Sequence, residues 1–115
     1  MRLILIVACA LMAGSLYAEV VVPMSPDSLP SNMAMNNTAV TPTTQDKRAA
    51  IQVRFHRVDW PNVFFTPADG VWDWSSSGGL AVDIYHPEGK PVCAAMRVDN
   101  AGADGSNNCS TVEVP

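Results

Sequence analysis

The chain has 115 residues, 48% hydrophobic and 16% charged, with seven Lys and Arg against eleven Asp and Glu for a formal charge of −4. Such a length holds one small domain. It excludes a (β/α)8 enzyme of about 250 residues and a doubly wound nucleotide enzyme built from βαβ units of about 30 residues each. The acidic balance argues against a nucleic-acid partner, because phosphate binding needs clustered Lys and Arg.

Met1-Arg2 precedes an apolar run from Leu3 to Ala13. A membrane-spanning helix needs about 20 such residues, so the run is too short to anchor the chain. It fits the h-region of a secretory signal peptide over residues 1–18, with Gly14-Ser15-Leu16-Tyr17-Ala18 as the small-residue exit and cleavage expected after Ala18. Ile6-Val7-Ala8-Cys9 superficially matches a lipobox, but Cys9 lies inside the apolar run and would leave almost no h-region before it. No later stretch is apolar and long enough to form a membrane span. The expected location is secreted or periplasmic.

Residues 19–50 read as a linker. From Pro23 to Gln45 the chain carries four prolines among repeated Ser, Thr and Asn, with Met and Ala at no fixed period. That composition favours extended, solvated backbone. Asn36-Asn37-Thr38 and Asn108-Cys109-Ser110 match the glycosylation pattern, but so short a match is common by chance.

The pattern changes at Ala50, where the domain 51–115 is expected to begin. Ile51, Val53 and Phe55 alternate with Gln52, Arg54 and His56, the period of a half-buried strand. Asn62–Thr66, bounded by Pro61 and Pro67, is a second short strand. Trp72 and Trp74 follow the turn at Ala68-Asp69-Gly70, and a Ser/Gly bend runs from Ser75 to Gly79. In the next strand Leu80, Val82 and Ile84 share one face. In the one after it Val92, Ala94, Met96 and Val98 do so, with Cys93, Ala95, Arg97 and Asp99 on the reverse.

The polar connection at residues 86–91 predicts an antiparallel hairpin between these last two strands. The register that matches the apolar faces sets Ile84 opposite Ala94, Val82 opposite Met96 and Leu80 opposite Val98, and places Asp83 diagonal to Arg97 for a surface ion pair. No stretch after residue 18 keeps a 3.6-residue period. The predicted fold is therefore all-β, an antiparallel β-sandwich.

Several blocks in sequence carry a family resemblance: Asp59-Trp60-Pro61-Asn62-Val63, Phe65-Thr66-Pro67-Ala68-Asp69-Gly70, Val71-Trp72-Asp73-Trp74-Ser75, Leu80-Ala81-Val82-Asp83, and Arg97-Val98-Asp99-Asn100 with Ala103-Asp104-Gly105 and Cys109. Their order and spacing resemble the N-terminal carbohydrate-binding-like (CBM-like) domain that precedes the catalytic barrel of secreted β-agarases of glycoside hydrolase family 50. The similarity covers about residues 52–115. It implies a jelly-roll, galactose-binding-like sandwich accompanying agarose degradation. The family's barrel has no counterpart here and the family's domain continues past Pro115, so an incomplete, non-catalytic module is expected, with agarose or a related galactan as partner.

In an extended segment Trp72 and Trp74 project from one face. Flat rings of this kind stack on the C–H face of a pyranose, while Asp73 and neighbouring polar groups take up hydroxyls. Asp99 and Asn100 are further sugar-contact candidates, and Trp60 is a weaker platform. The competing role for the tryptophan pair is core packing, since a domain of about 65 residues needs large side chains to fill its interior.

The loop from Asp99 to Asn108 is rich in oxygen ligands. It reads as a solvated turn, with Asp99 and Asp104 as weak calcium candidates that do not fit the EF-hand spacing; no other cofactor is expected. Cys93 and Cys109 are the two thiols after residue 18 and form a disulfide candidate, which would contribute about 3 kcal/mol. His56 and His86 have no partner at metal spacing. Asp59, Asp69, Asp73 and Asp83 offer carboxylates, but nothing in the pattern builds the cleft that glycoside hydrolysis requires. Two functions follow: a sugar-binding module, or a structural or protein-interaction fragment whose open strand edges pair with another chain.

Overall fold

The computed structural model describes residues 2–7 and 20–114. Among them are eight strands and no helix: β1 (Arg2–Val7), β2 (Met33–Asn36), β3 (Thr38–Gln45), β4 (Arg48–Phe55), β5 (Asn62–Phe65), β6 (Val82–Tyr85), β7 (Ala94–Asp99) and β8 (Cys109–Val114). They form a four-stranded sheet in the order β3-β4-β1-β6 and two ribbons, β2-β5 and β7-β8. Every pairing is antiparallel. The predicted all-β class is the one observed, as an incomplete β-sandwich. Residues 8–18, which hold most of the expected export signal with its cleavage site and Cys9, lie outside the described residues.

The core gathers on β4. Ala50, Ile51 and Val53 are buried there, with Leu3 of β1 and Val22 beside them. The predicted alternation is the cause: Ile51 and Val53 face inward while Arg54 is exposed. They lie opposite Pro42 and Val40 of β3 on one side and Leu5 and Leu3 of β1 on the other, so that β4 is paired along both edges.

The stretch read as linker folds differently from that expectation. Residues 38–45 form strand β3, whose Thr and Val residues suit a pleated surface. Pro42, opposite Ile51, is tolerated because β3 is an edge strand and one of its sides carries no ladder. The β3–β4 turn is Asp46-Lys47, both with positive φ (49° and 64°), the geometry of a two-residue I′ hairpin. The Pro, Thr and Asn content that reads as solvated chain here serves an edge strand and a tight turn.

The predicted hairpin between Leu80–Tyr85 and Val92–Val98 is not formed. β6 pairs with β1, setting Ile84 against Leu5, and β7 pairs with β8, setting Val98 against Ser110 and Met96 against Val112. Pro87 and Pro91 flank the connection and lack amide hydrogens, which disfavours a ladder closing tightly beside that turn. The Asp83–Arg97 ion pair falls with the hairpin. Asp83 instead meets Arg48 at 2.8 Å, and Arg97 meets Asp99 at 2.7 Å.

The small core makes Ile51 the most sensitive position. Ile51→Ala removes a side chain with 0% exposure and is expected to cost about 2–5 kcal/mol, read as a lowered urea midpoint. Arg48→Ala breaks an ion pair whose side chains are each 53% exposed and is expected to leave that midpoint essentially unmoved.

Candidate functional site

Trp72 and Trp74 lie between β5 and β6 in a segment with no strand pairing. Their rings stack on one another, with centroids 5.4 Å apart and planes 9° from parallel. The centroid distance is that of an offset stack. Both residues are half-buried, and neither belongs to the buried core. Stacking covers one face of each indole with its neighbour.

The segment is held by local bonds. The Ser75 amide donates to Asp73 Oδ1 at 3.0 Å, and the Ser77 amide donates to the Trp74 carbonyl at 2.9 Å. Asp73 thus closes an Asx turn directly behind the tryptophan pair. Hydrogen bonds from the Ser75 side chain and backbone hold its carboxyl below the ordinary value of 3.8. An ionised, exposed Asp73 is a ready acceptor for hydroxyl groups.

Asp99 and Asn100 are placed elsewhere. Both oxygens of Asp99 are taken by Arg97, Nε at 2.7 Å and Nη2 at 2.8 Å, a two-pronged pairing that raises the Arg97 pKa. Asn100 closes the base of the β7–β8 loop, where its amide donates to the Asn108 carbonyl at 2.8 Å. Among the described residues no hydrogen bond or ring contact joins either one to the tryptophan pair.

The same loop uses its oxygen ligands internally. Asp104 accepts from the amides of Ser106 (2.8 Å) and Asn107 (2.7 Å) and from Asn107 Nδ2 (2.8 Å). These bonds, led by the Asn107 side chain, lower its pKa from 3.8 to about 2. Asp104 is therefore the hub of the turn. Among the described residues no three His, Cys, Asp or Glu side chains gather as a metal set.

Cys93 and Cys109 are both free thiols. Cys109 sits opposite Asp99, whereas Cys93 precedes Ala94 at the far end of the ladder, opposite Val114. At about 3.4 Å per residue the two are separated by about 17–20 Å, far beyond the 7 Å limit for a bridge. The hairpin geometry keeps the candidate pair apart.

One further feature was not singled out as a site in the sequence, and a second was offered there only as a weaker platform. The first is an open cleft of about 700 Å³ lined by Gln45, Asp46, Arg48, Leu80 to Tyr85 and Met96. Of its charged groups, Arg48 and Asp83 pair at 2.8 Å, and Asp46 is the third. Reading Arg48 as part of a linker concealed that side.

The other is the turn carrying Trp60, whose indole is 85% exposed. Trp60 has φ 51°, a left-handed conformation that costs a bulky residue roughly 1–2 kcal/mol. Its carbonyl accepts from Asn62 Nδ2 at 2.8 Å and Asn36 Nδ2 at 3.2 Å, while Asn37 Nδ2 donates to the Asp59 carbonyl at 3.1 Å. Thr38, the one buried polar residue among those described, donates to the Asn62 carbonyl at 3.2 Å. These bonds fasten the turn to the corner between β2 and β3 and offset its strain. The run of Asn residues beside Thr38 was the available sequence signal.

The described residues thus form an all-β scaffold with aromatic rings presented from locally fastened loops. No family model and no solved structure matches the chain. Among characterised proteins, β-agarase B of a Vibrio species is 34% identical over 68 residues, which take in 52% of this chain and 7% of that enzyme. A segment of the chain is therefore related to part of a β-agarase, and the chain spans only a small fraction of that relative's length.

Titration of the Asp104 carboxyl by NMR is expected to give a midpoint near 2. Because the folded value lies below the unfolded one, its contribution to stability is present above pH about 4 and disappears as the pH falls through about 2. Asp104→Ala is expected to abolish this acid-side dependence and to speed hydrogen exchange at the Ser106 and Asn107 amides.

Proposed function

We propose that the chain is an exported, non-catalytic carbohydrate-binding-like module that acts in agarose or galactan degradation, with Trp72, Asp73 and Trp74 as its sugar-contact group. The observation that carries this reading is the relation to part of a β-agarase. The stacked indoles support it by offering flat apolar faces beside an ionised carboxylate, the mixture that a pyranose with one C–H face and a rim of hydroxyls would meet. The Asx turn supports it by fixing the pair before any ligand arrives, which reduces the ordering entropy lost on binding. Asp99 and Asn100 are left as a peripheral polar contact, since Arg97 already engages the carboxylate. On this reading catalysis lies outside the matched segment, which takes in 7% of that enzyme.

One observation favours a second reading, a structural or protein-interaction fragment. β1 lies within the segment read as an export signal, yet it is the strand between β4 and β6. Cleavage after Ala18 would open both of those edges. Exposed edges pair readily with another chain.

Affinity electrophoresis separates the two. The folded full chain is expected to be retarded in gels containing agarose or a soluble galactan and to release no reducing ends from either. Trp72→Ala and Trp74→Ala are each expected to weaken retention about tenfold, equivalent to about 1.4 kcal/mol, with the far-UV circular dichroism unchanged. Unaltered mobility of the folded wild-type chain would refute the sugar-binding reading and favour the interaction fragment.

A further inference from the structure

We infer that Trp60 is a second carbohydrate-stacking platform, held out of the Val58–Asn62 turn by an amide cage and independent of the Trp72–Trp74 pair. The inference takes its ligand class, a neutral galactan chain, from the proposed function, but it does not depend on where that function places the first contact.

Trp60 combines two features that folding alone does not favour. Its indole is almost wholly in solvent, and its backbone is held in a left-handed conformation. The exposure does not come from a loose loop. Asn36, Asn37 and Asn62 each spend a side-chain amide on the backbone carbonyls of Asp59 and Trp60, and Thr38 anchors the Asn62 carbonyl. A rigid ring presented in this way loses little conformational freedom on binding. No ring contact occupies either of its faces among the described residues.

The surroundings decide the class of ligand. Asp59 adjoins Trp60 in the chain, and Asn36 and Asn62 bond the Trp60 carbonyl; all three are exposed, and no hydrogen bond or ion pair engages the Asp59 carboxylate among the described residues. Val58 is the exposed aliphatic side chain of the same turn, and the exposed apolar side chains of the neighbouring ribbon do not share one face. Met35 pairs with Val63 and Phe64 with Ala34, so Met35 and Phe64 lie on opposite faces of the β2–β5 ribbon. One flat aromatic face with free oxygen acceptors at its rim suits a pyranose, which stacks by its C–H face and donates hydroxyl hydrogens to carboxylate and amide oxygens. A protein partner would be expected to meet several apolar side chains packed together.

The chain has three tryptophans, so Trp72→Phe with Trp74→Phe leaves Trp60 as the sole indole reporter in the full-length protein. Addition of a soluble galactan oligosaccharide is expected to shift its emission to the blue and to reduce acrylamide quenching about twofold. In the otherwise unchanged chain, Trp60→Ala is expected to weaken oligosaccharide binding about five- to tenfold with the circular dichroism intact. Were the double variant not to fold, that comparison would decide alone, and equal affinities would overturn the proposal. A silent Trp60 in a chain that galactan still retards would overturn it while leaving the sugar-binding reading in place. A silent Trp60 together with a wild-type chain that galactan does not retard would remove both. Protection of Trp60 that rises with protein concentration in the absence of galactan would overturn it by showing that the ring is covered by a second copy.

Discussion

Strand β4 is hydrogen-bonded along both edges, to β3 and to β1, and the buried side chains Ala50, Ile51 and Val53 all belong to it. Everything else in the four-stranded sheet is arranged around that constraint. A strand whose neighbours occupy both sides has its polar backbone satisfied while its apolar face is withdrawn from water, so burial and hydrogen bonding reinforce one another. β3 and β6 are the edges. Proline in β3 is a feature that an edge tolerates and a central strand does not.

The aromatic segments obey a different rule. Neither Trp60 nor the Trp72–Trp74 pair belongs to a strand. Both are set by side chains that bond to nearby backbone: Asn36, Asn37 and Asn62 around Trp60, and Asp73 behind Trp74. The bonds from Asn62 and to Asp73 span two residues and cost little in chain entropy, whereas those from Asn36 and Asn37 reach across 24 and 22 residues and form only in the folded chain; together they hold rings at the surface that a small core could otherwise draw inward. The scaffold supplies stability while loops supply chemistry. Relation to part of a β-agarase gives that division a functional direction.

Charge acts locally as well. Despite the net charge of −4, the acidic groups do not pool into one field. Asp83 and Asp99 are matched by Arg48 and Arg97, and Asp104 organises its own turn. A surface of short, self-satisfied polar contacts leaves the exposed aromatics as the features best able to gain by contact with a ligand.

The amino-acid sequence by itself determined the all-β class and the inward face of β4, because a period of two in Ile51, Val53 and Phe55 is a local property that no neighbour has to supply. It also determined that Trp72 and Trp74 lie on one side of an extended segment, which the stacked rings display. Partnership was decided only by tertiary structure. β6 and β7 have matching apolar faces, yet β6 pairs with β1 at the far end of the chain and β7 with β8, the strand that follows it. The thiols of Cys93 and Cys109 are likewise kept apart by the length of a ladder that their count alone does not reveal. Thr38–Gln45 became a strand because β4 offered an unpaired edge, and the Trp60 turn took its shape from an asparagine cluster that only folding brings around it. Alternation and turn chemistry are written in neighbouring residues, whereas strand pairing depends on which distant edges are left open.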